Sequence, residues 1–412
     1  MADENWKTLP LGECLTLQRG FDLSAAERKP GTVPVVSSSG ITGYHASAPV
    51  KGPGVVTGRY GTIGQVFYVE QDFWPLNTTL WVKDFKGNNP KFTSFLLRTI
   101  DFRSCSDKSS VPGVNRNDLH RILVDLPPLG QQRAIADVLS AFDDKIELNR
   151  RMNQTLESMA RAIFRSWFVD FDPVVANAAG RQPFGMSAEV AALFPARFAE
   201  SNVGRLPTGW QSGSILKRAS LLSGGTPKTS IAEYWGGQIA WASAADVSQC
   251  GECFLLRSER TITARGLEES AAQLIDAFAT AIVARGATTG RMCMLGSSMA
   301  INQTCYALRS NSDCHFYMFC LAKEVIGDLV HVAHGSVFDT ITTQTFESSC
   351  VVLPDPRIVI RFEQAVEPMF RKILACQKQS RILAALRDAL LPKLMSGELR
   401  VRDAEKLVGA HV

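Results

Sequence analysis

The stretch GVVTGRYGTIGQVFYVE (residues 54–70) is answered by AIVARGATTGRMCMLGS (residues 281–297), and this pairing decides the architecture. Arg285 lies 226 residues after Arg59. Working outward, PLNTT at 75–79 is matched by AINQT at 300–304, and SSVPGVNRNDL at 109–119 by GSVFDTITTQTF at 335–346. Each unit then reaches a Leu-Pro stop, at Leu126-Pro127 and Leu353-Pro354, followed by a long helix-forming segment. Self-similarity at so long a period means a duplicated module, because solenoid repeats are far shorter. The expected molecule has two globular units and two long helices related by a pseudo-twofold axis, suited to a target with two halves.

Composition sets the limits. A chain of 412 residues with 45% hydrophobic content has room for two or three domains with real cores. No apolar run reaches the roughly 18 residues of a membrane span. MADENWKTLP at the start is too polar and acidic for a signal peptide, so a cytoplasmic location is expected. Cys14 and Cys105 lie in the first half and the other eight cysteines from Cys250 onward, which is no disulfide framework. Reduced thiols buried as small hydrophobes are expected. Residues 1–128 hold 14 basic against 12 acidic side chains, and residues 207–356 hold 10 against 13. Any nucleic-acid contact must therefore be a local basic surface, with partners supplying part of the phosphate grip.

Breakers give the layout. Residues 1–128 carry short β-type runs (Gly54-Val55-Val56, Gln65 to Val69, Thr79 to Val82) and a helical stretch near Phe92 to Arg98. Residues 207–356 repeat this, with a helix expected at His315 to Ile326. Residues 171–206, rich in Pro, Gly and Ala, read as a linker with one short helix at Ser187 to Leu193, capped by Ser187.

The long segments, 129–170 and 357–400, show a coiled-coil seam, and residues 401–412 form a tail. From Ile135, spacings of four and three select Leu139, Phe142, Ile146, Asn149, Asn153, Leu156, Ala160, Ile163 and Trp167. Adding 227 selects Phe362, Val366, Met369, Ile373, Cys376, Ser380, Leu383, Arg387, Leu390 and Leu394. Leu386 takes over the apolar face beside Arg387. The polar gaps Asn149 and Asn153 coincide with Cys376 and Ser380. In an antiparallel pair Asn149 would lie near Ser380 and Asn153 near Cys376, where buried Asn fixes register at a cost in stability. A satisfied polar gap on a surface helix is the alternative. Each helix would be about 50 Å long at 1.5 Å per residue, a caliper with a globular unit at each end.

No catalytic motif emerges. A phosphate loop needs Gly-Lys before Ser or Thr, and that dipeptide is absent. Gly224-Gly225-Thr226-Pro227-Lys228-Thr229 has the wrong spacing and reads as a turn. No HExxH, GxSxG or strand-helix GxGxxG occurs, and Cys250-Gly-Glu-Cys253 is a lone pair without a histidine cluster.

The duplicated layout resembles the specificity subunit of type I restriction–modification enzymes. The resemblance is carried by LPPLGQQRAIADVLSAFDDKIELNRRMNQTLESMARAIFRSWFVDFDPV (126–174), the RxGxxG-like loops at Arg59 and Arg285, and LLPKLMSGEL (390–399). It implies an α+β fold: two α/β target recognition domains, 1–128 and 207–356, joined by two long antiparallel coiled-coil helices. It further implies a non-catalytic, double-stranded-DNA-binding subunit that reads a bipartite site. Two methyltransferase subunits and the restriction/translocase subunits would be its partners, with S-adenosylmethionine, ATP and Mg bound there and no cofactor or metal on this chain. A DNA-reading adaptor of another modification or phage-defence complex is the alternative reading, and a coiled-coil protein scaffold leaves the polar glycine loops without a purpose.

The resemblance does not say which residues read bases, so chemistry selects the candidates. Base edges are read by Arg, Lys, Asn, Gln, Ser and Thr from turns and helix ends. In the first domain these are Ser37, Ser38, Ser39, Tyr44 and His45, then Arg59, Tyr60, Asn77, Lys108, Asn115 and Arg116. In the second they are Lys228, Thr229, Ser243, Arg285, Thr288, Arg291, Asn302, Gln303, Thr342, Thr343 and Gln344. Arg59 and Arg285, being shared by domains that would read different bases, could instead grip phosphate or brace the loop, and Asn77 and Asn302 could be turn formers.

Overall fold

The computed structural model describes residues 6–102, 104–105, 113–332 and 340–411. Two compact units divide the chain: residues 1–148 with 380–412, and residues 149–379. Two 40-residue helices, Leu129–Phe168 and Pro356–Met395, each contribute to both units. The first starts where Pro128 ends the extended Leu126-Pro127 stop, its carbonyl accepting from Gln131 N and Gln132 N. Proline fits the first turn of a helix, where its missing N–H has no partner to lose. At the second helix the Asp355 carbonyl takes that role, accepting from Ile358 N and Val359 N; Pro356 is the first helical residue, and the helix runs on through Pro368 and Pro392.

Within the first unit the β-rich part is a four-stranded antiparallel sheet, ordered Thr16–Arg19, Thr79–Asp84, Gly54–Gly58, Val66–Val69. Beside it lies a three-stranded sheet of Gly40–His45, Val33–Ser37 and Trp74–Pro75. The second unit repeats the order with one strand added: Ala219–Ser223, Cys305–Ser310, Thr280–Val283, Met292–Leu295, Phe254–Leu255. Its companion sheet is Arg260–Ile262, Trp235–Ala242, Ala300–Ile301. The helices expected near Phe92 and at His315 run Pro90–Arg98 and His315–Val332.

Inside each unit the segments of the two long helices pack together. In the first, Ile135, Leu139 and Phe142 share a core with Leu383, Leu390 and Leu394. Half-buried Arg387 is held by Asp143, which also takes Arg98 at 2.9 Å. In the second, buried Asn149 donates through Nδ2 to Gln379 Oε1 at 3.0 Å and to the Cys376 carbonyl at 3.5 Å. Met152 Sδ touches Cys376 Sγ at 3.8 Å, and Phe164 meets Phe362 at a ring separation of 5.7 Å. Partner numbers fall as positions rise, so the helices are antiparallel. Asn149 thus faces Gln379, one residue from the expected Ser380. Met152, next to Asn153, meets Cys376, and Asn153 Oδ1 is buried without a partner.

The heptad template holds at the start of the first helix and drifts at its end. Ile163 and Trp167 are part-buried, while Phe164 and Phe168 fill the interior, and Phe370 replaces Met369. Ala136, Val138 and Ser140 are also buried, so the face is wider than a two-position seam. A helix that covers a globular core needs this broader stripe.

Residues 171–206 are not a free linker. They form helices Asp172–Ala178 and Ala188–Ala191 and a hairpin pairing Phe198–Ser201 with Gly204–Pro207. Val174 and Phe194 join the second unit's core, with Phe171 and Phe198 packed against it. The Pro/Gly/Ala composition hid these aromatic anchors. Ser187 does cap its helix, accepting from Val190 N at 3.3 Å, although the helix is only 4 residues long. The expected tail is a helix, Val401–His411, whose Ala404 is buried in the first unit's core.

One polar side chain on each long helix ties the β-rich part to it. Buried Gln132 accepts from Asn89 N at 2.9 Å and donates to Asn88 Oδ1 at 2.7 Å, at the start of helix Pro90–Arg98. Glu363 does the equivalent in the second unit, accepting from Phe316 N at 3.0 Å and Tyr317 N at 2.9 Å at the start of helix His315–Val332. Burial pushes the Glu363 carboxyl up to about 7, while the two backbone donors pull it back down. An unfolded Glu titrates near about 4.3, so between the two values the folded chain holds the extra proton. Stability from this group is then full below the unfolded pKa and falls as pH rises through the folded one. The expected slope is at most about 1.4 kcal/mol per pH unit. Denaturant unfolding at pH 5 and pH 7.5 should show wild type losing stability relative to Glu363→Gln; a pH-independent difference would contradict it.

Candidate nucleic-acid interface

The same hydrogen-bond frame surrounds the glycine loop in both units. In the first, Gly58 N donates to Gln65 O (3.1 Å) and Gly64 N to Gly58 O (3.3 Å). Arg59 N and Tyr60 N both donate to Thr78 O, at 2.9 and 3.2 Å, and Val114 N donates to Arg59 O at 3.1 Å. Tyr60 also forms a β-bridge with Gly113. In the second unit the matching bonds are Val283 N to Arg291 O (2.9 Å), Gly290 N to Val283 O (2.9 Å), Ala284 N to Thr304 O (2.8 Å) and Ile341 N to Ala284 O (2.7 Å). The bridge here joins Arg285 to Thr340.

These bonds correct the alignment of letters. Gly58 corresponds to Val283, Arg59 to Ala284, and Tyr60 to Arg285. The two arginines are not equivalent, because the second loop carries one more residue between its bonded ends. At Gly58 a Cβ would strike the Thr62 carbonyl at 1.9 Å, so the shorter loop requires glycine.

A neighbouring pair of loops obeys the same frame. Leu76 N bonds Val36 O and Asn302 N bonds Ala242 O, while Phe21 N bonds Pro75 O and Gly225 N bonds Ile301 O. Asn77 is thereby equivalent to Gln303 rather than Asn302, Asp22 to Thr226, and Ser37 to Ser243. Asn77 Nδ2 donates to the Asp22 carboxylate, and the Thr226 hydroxyl donates to Gln303 Oε1. The contact is shared, with the polarity reversed.

Several other candidates have structural duties. His45 is buried, its Nδ1 accepting from Lys29 N at 2.9 Å, with its ring edge-on to Trp74; it is a core histidine. Asn115 caps helix Arg116–His120, accepting from Asn117 N at 3.0 Å. Ser243 forms a capping box with Asp246, and Thr342 one with Thr345. Ser37 bonds Ser39 and the Gly40 carbonyl across a tight turn, with Ser38 beside Gly58. Thr288 accepts from Ser248 Oγ at 2.7 Å, and Asn302 from Thr304 Oγ1 at 2.9 Å. Tyr44, Tyr60, Arg116, Lys228, Thr229, Arg285, Arg291, Thr343 and Gln344 are exposed, and Arg59 is half-buried with its guanidinium 4.6 Å from the Tyr60 ring centroid. Lys108 lies outside the described residues.

Two features escaped the sequence reading. Arg260 stacks on Trp235, its guanidinium carbon 3.5 Å from the ring centroid, and Ile41 stands 57% exposed on the strand that bears Tyr44. No short motif announces either, since strand pairing brings Arg260 to Trp235. Chemically the loops offer hydrogen-bond donors, a guanidinium and aromatic faces, the groups that read base edges. Among the described residues no His/Cys/Asp/Glu cluster could hold a metal, and no helix is long and apolar enough to cross a membrane.

Known proteins share both sequence and fold. The family model for the type I restriction modification DNA specificity domain matches residues 3–158. The type I restriction enzyme HindI specificity subunit of Haemophilus influenzae is 25% identical over 390 residues, covering 82% of this chain and 84% of that one. The MjaIX specificity subunit of Methanocaldococcus jannaschii is 26% identical over 320 residues, covering 73% and 66%. A crystal structure of a type I restriction–modification S subunit from M. genitalium aligns with a TM-score of 0.61 at 14% identity, over 95% of this chain and 96% of that one, a likeness of fold. Family model, relatives and fold agree: residues 3–158 match the type I DNA specificity domain, and most of the chain is similar in sequence to type I restriction enzyme specificity subunits.

Proposed function

We propose that this chain reads a bipartite duplex site, each β-rich unit taking one half, and directs a methyltransferase to it. It is the non-catalytic subunit of its complex. Two methyltransferase subunits dock on the long helices, restriction/translocase subunits join them, and S-adenosylmethionine, ATP and Mg reside on those partners. One observation carries the reading: both units build the same loop frame but place different side chains on it. That is what two readers of different half-sites require, since the scaffold repeats while the donors and acceptors change.

Selection of the full-length chain against random duplexes tests this. The enriched sequences should show two blocks of fixed bases separated by an unread gap of constant length. A single contiguous block, or no enrichment, would overturn it.

A further inference from the structure

We propose that Tyr60 and Arg285 occupy one equivalent reading slot, and that this slot decides a base in each half-site: guanine by Arg285, and a non-guanine base by Tyr60. The inference rests on the bipartite-reading proposal and deepens it. Matching letters pairs Arg59 with Arg285 and suggests a shared phosphate grip. The backbone says otherwise. Arg59 and Ala284 share one position, whose carbonyl accepts from the incoming segment, at Val114 and at Ile341. Ala284 is 2% exposed, so this position faces inward in the second unit and carries no base reader.

The next position points out in both units. Tyr60 is 37% exposed and Arg285 is exposed, and each is fixed by a β-bridge, to Gly113 and to Thr340. A side chain that reads bases must be solvent-facing on a backbone that does not move, and the bridge supplies that rigidity. The residue types differ in the way that matters. A guanidinium donates two parallel hydrogen bonds to guanine O6 and N7. A phenol has one hydroxyl and a flat apolar ring, so it cannot make that fork and suits contact with a thymine methyl. Stacking of Arg59 on Tyr60 stiffens the ring further.

Full-length Arg285→Tyr, Arg285→Lys and Tyr60→Arg, each taken through the random-duplex selection, test the slot. Arg285→Tyr should lose its guanine preference at one position of one half-site by about tenfold or more, with the other half-site unchanged. Arg285→Lys keeps the charge without the fork, so it should blur the same position while total affinity stays near wild type. Tyr60→Arg should gain a guanine preference at one position of the other half-site. Equal weakening of all sequences would place the slot on phosphate, and unchanged motifs would remove it from the DNA; either overturns the inference. Failure of the underlying reading is distinguishable, because then the wild-type chain itself yields no two-block motif.

Discussion

Exchanging residues 1–128 for the corresponding segment of a specificity subunit with another target will rewrite one half of the recognised site and leave the other half intact. The fusion point follows from the structure: Pro127-Pro128 ends the β-rich part and Leu129 opens the long helix. Each unit has its own core. Phe92, Phe95 and Leu96 pack with Ile135, Leu139 and Phe142, and none of these belongs to the cluster built around Phe164, Tyr317 and Phe362. A graft must keep the fastenings to the helix, or it will fail for reasons unrelated to reading. These are Gln132 with Asn88 and Asn89, and Asp143 with Arg98. Removing one partner of a buried polar pair costs roughly 1–3 kcal/mol, so an incoming segment lacking them will be unstable. With them kept, every base pair that changes in the exchanged half should alter preference by about 1–3 kcal/mol. Motif selection on the chimera checks this, and a chimera that scrambles both halves would refute independent reading.

Much of the fold was legible because duplication writes the same breakers twice. The Leu-Pro stops mark the starts of both long helices, and the glycine loops mark the matching sheets. What could not be read follows from physical limits of the string. A heptad template imposes a period of 3.5, whereas a straight helix turns at 3.6 and drifts about 20° per heptad. Over the four heptads from Ile135 to Ile163 that amounts to roughly 80°, enough to carry burial from Ile163 and Trp167 to Phe164 and Phe168. Residues 171–206 looked like a linker because small residues outnumber the aromatics, yet burial follows the aromatics.

The candidate site was legible as a region but not residue by residue. Polar residues in loops are chosen as often to cap helices as to meet ligands, and Asn115, Ser243 and Thr342 are caps. His45 is spent on a backbone N–H. The pairing of Arg59 with Arg285 failed because one extra residue in the second loop shifts letters against hydrogen bonds, which only the folded frame reveals. Asn77 and Asn302 were mispaired by one residue in the opposite sense, since the frame sets Asn77 against Gln303.

An in-phase insertion tests most directly the proposal that the paired helices set the distance between two readers. Asn149 faces Gln379, so seven residues are added between Leu148 and Asn149 and seven between Gln379 and Ser380. Whole heptads keep the apolar faces opposed, and the variant should fold. Each helix then grows by about 10 Å, which at about 3.4 Å of duplex axis per base pair equals roughly three base pairs. The same three pairs rotate the second half-site by about 100°, at about 10.5 pairs per turn. Motif selection on the folded variant is the measurement. The account predicts unchanged half-site sequences with a gap longer by about three pairs, or loss of binding where the rotation cannot be met. A folded variant that still selects the original site, at the original spacing and with undiminished affinity, would contradict it.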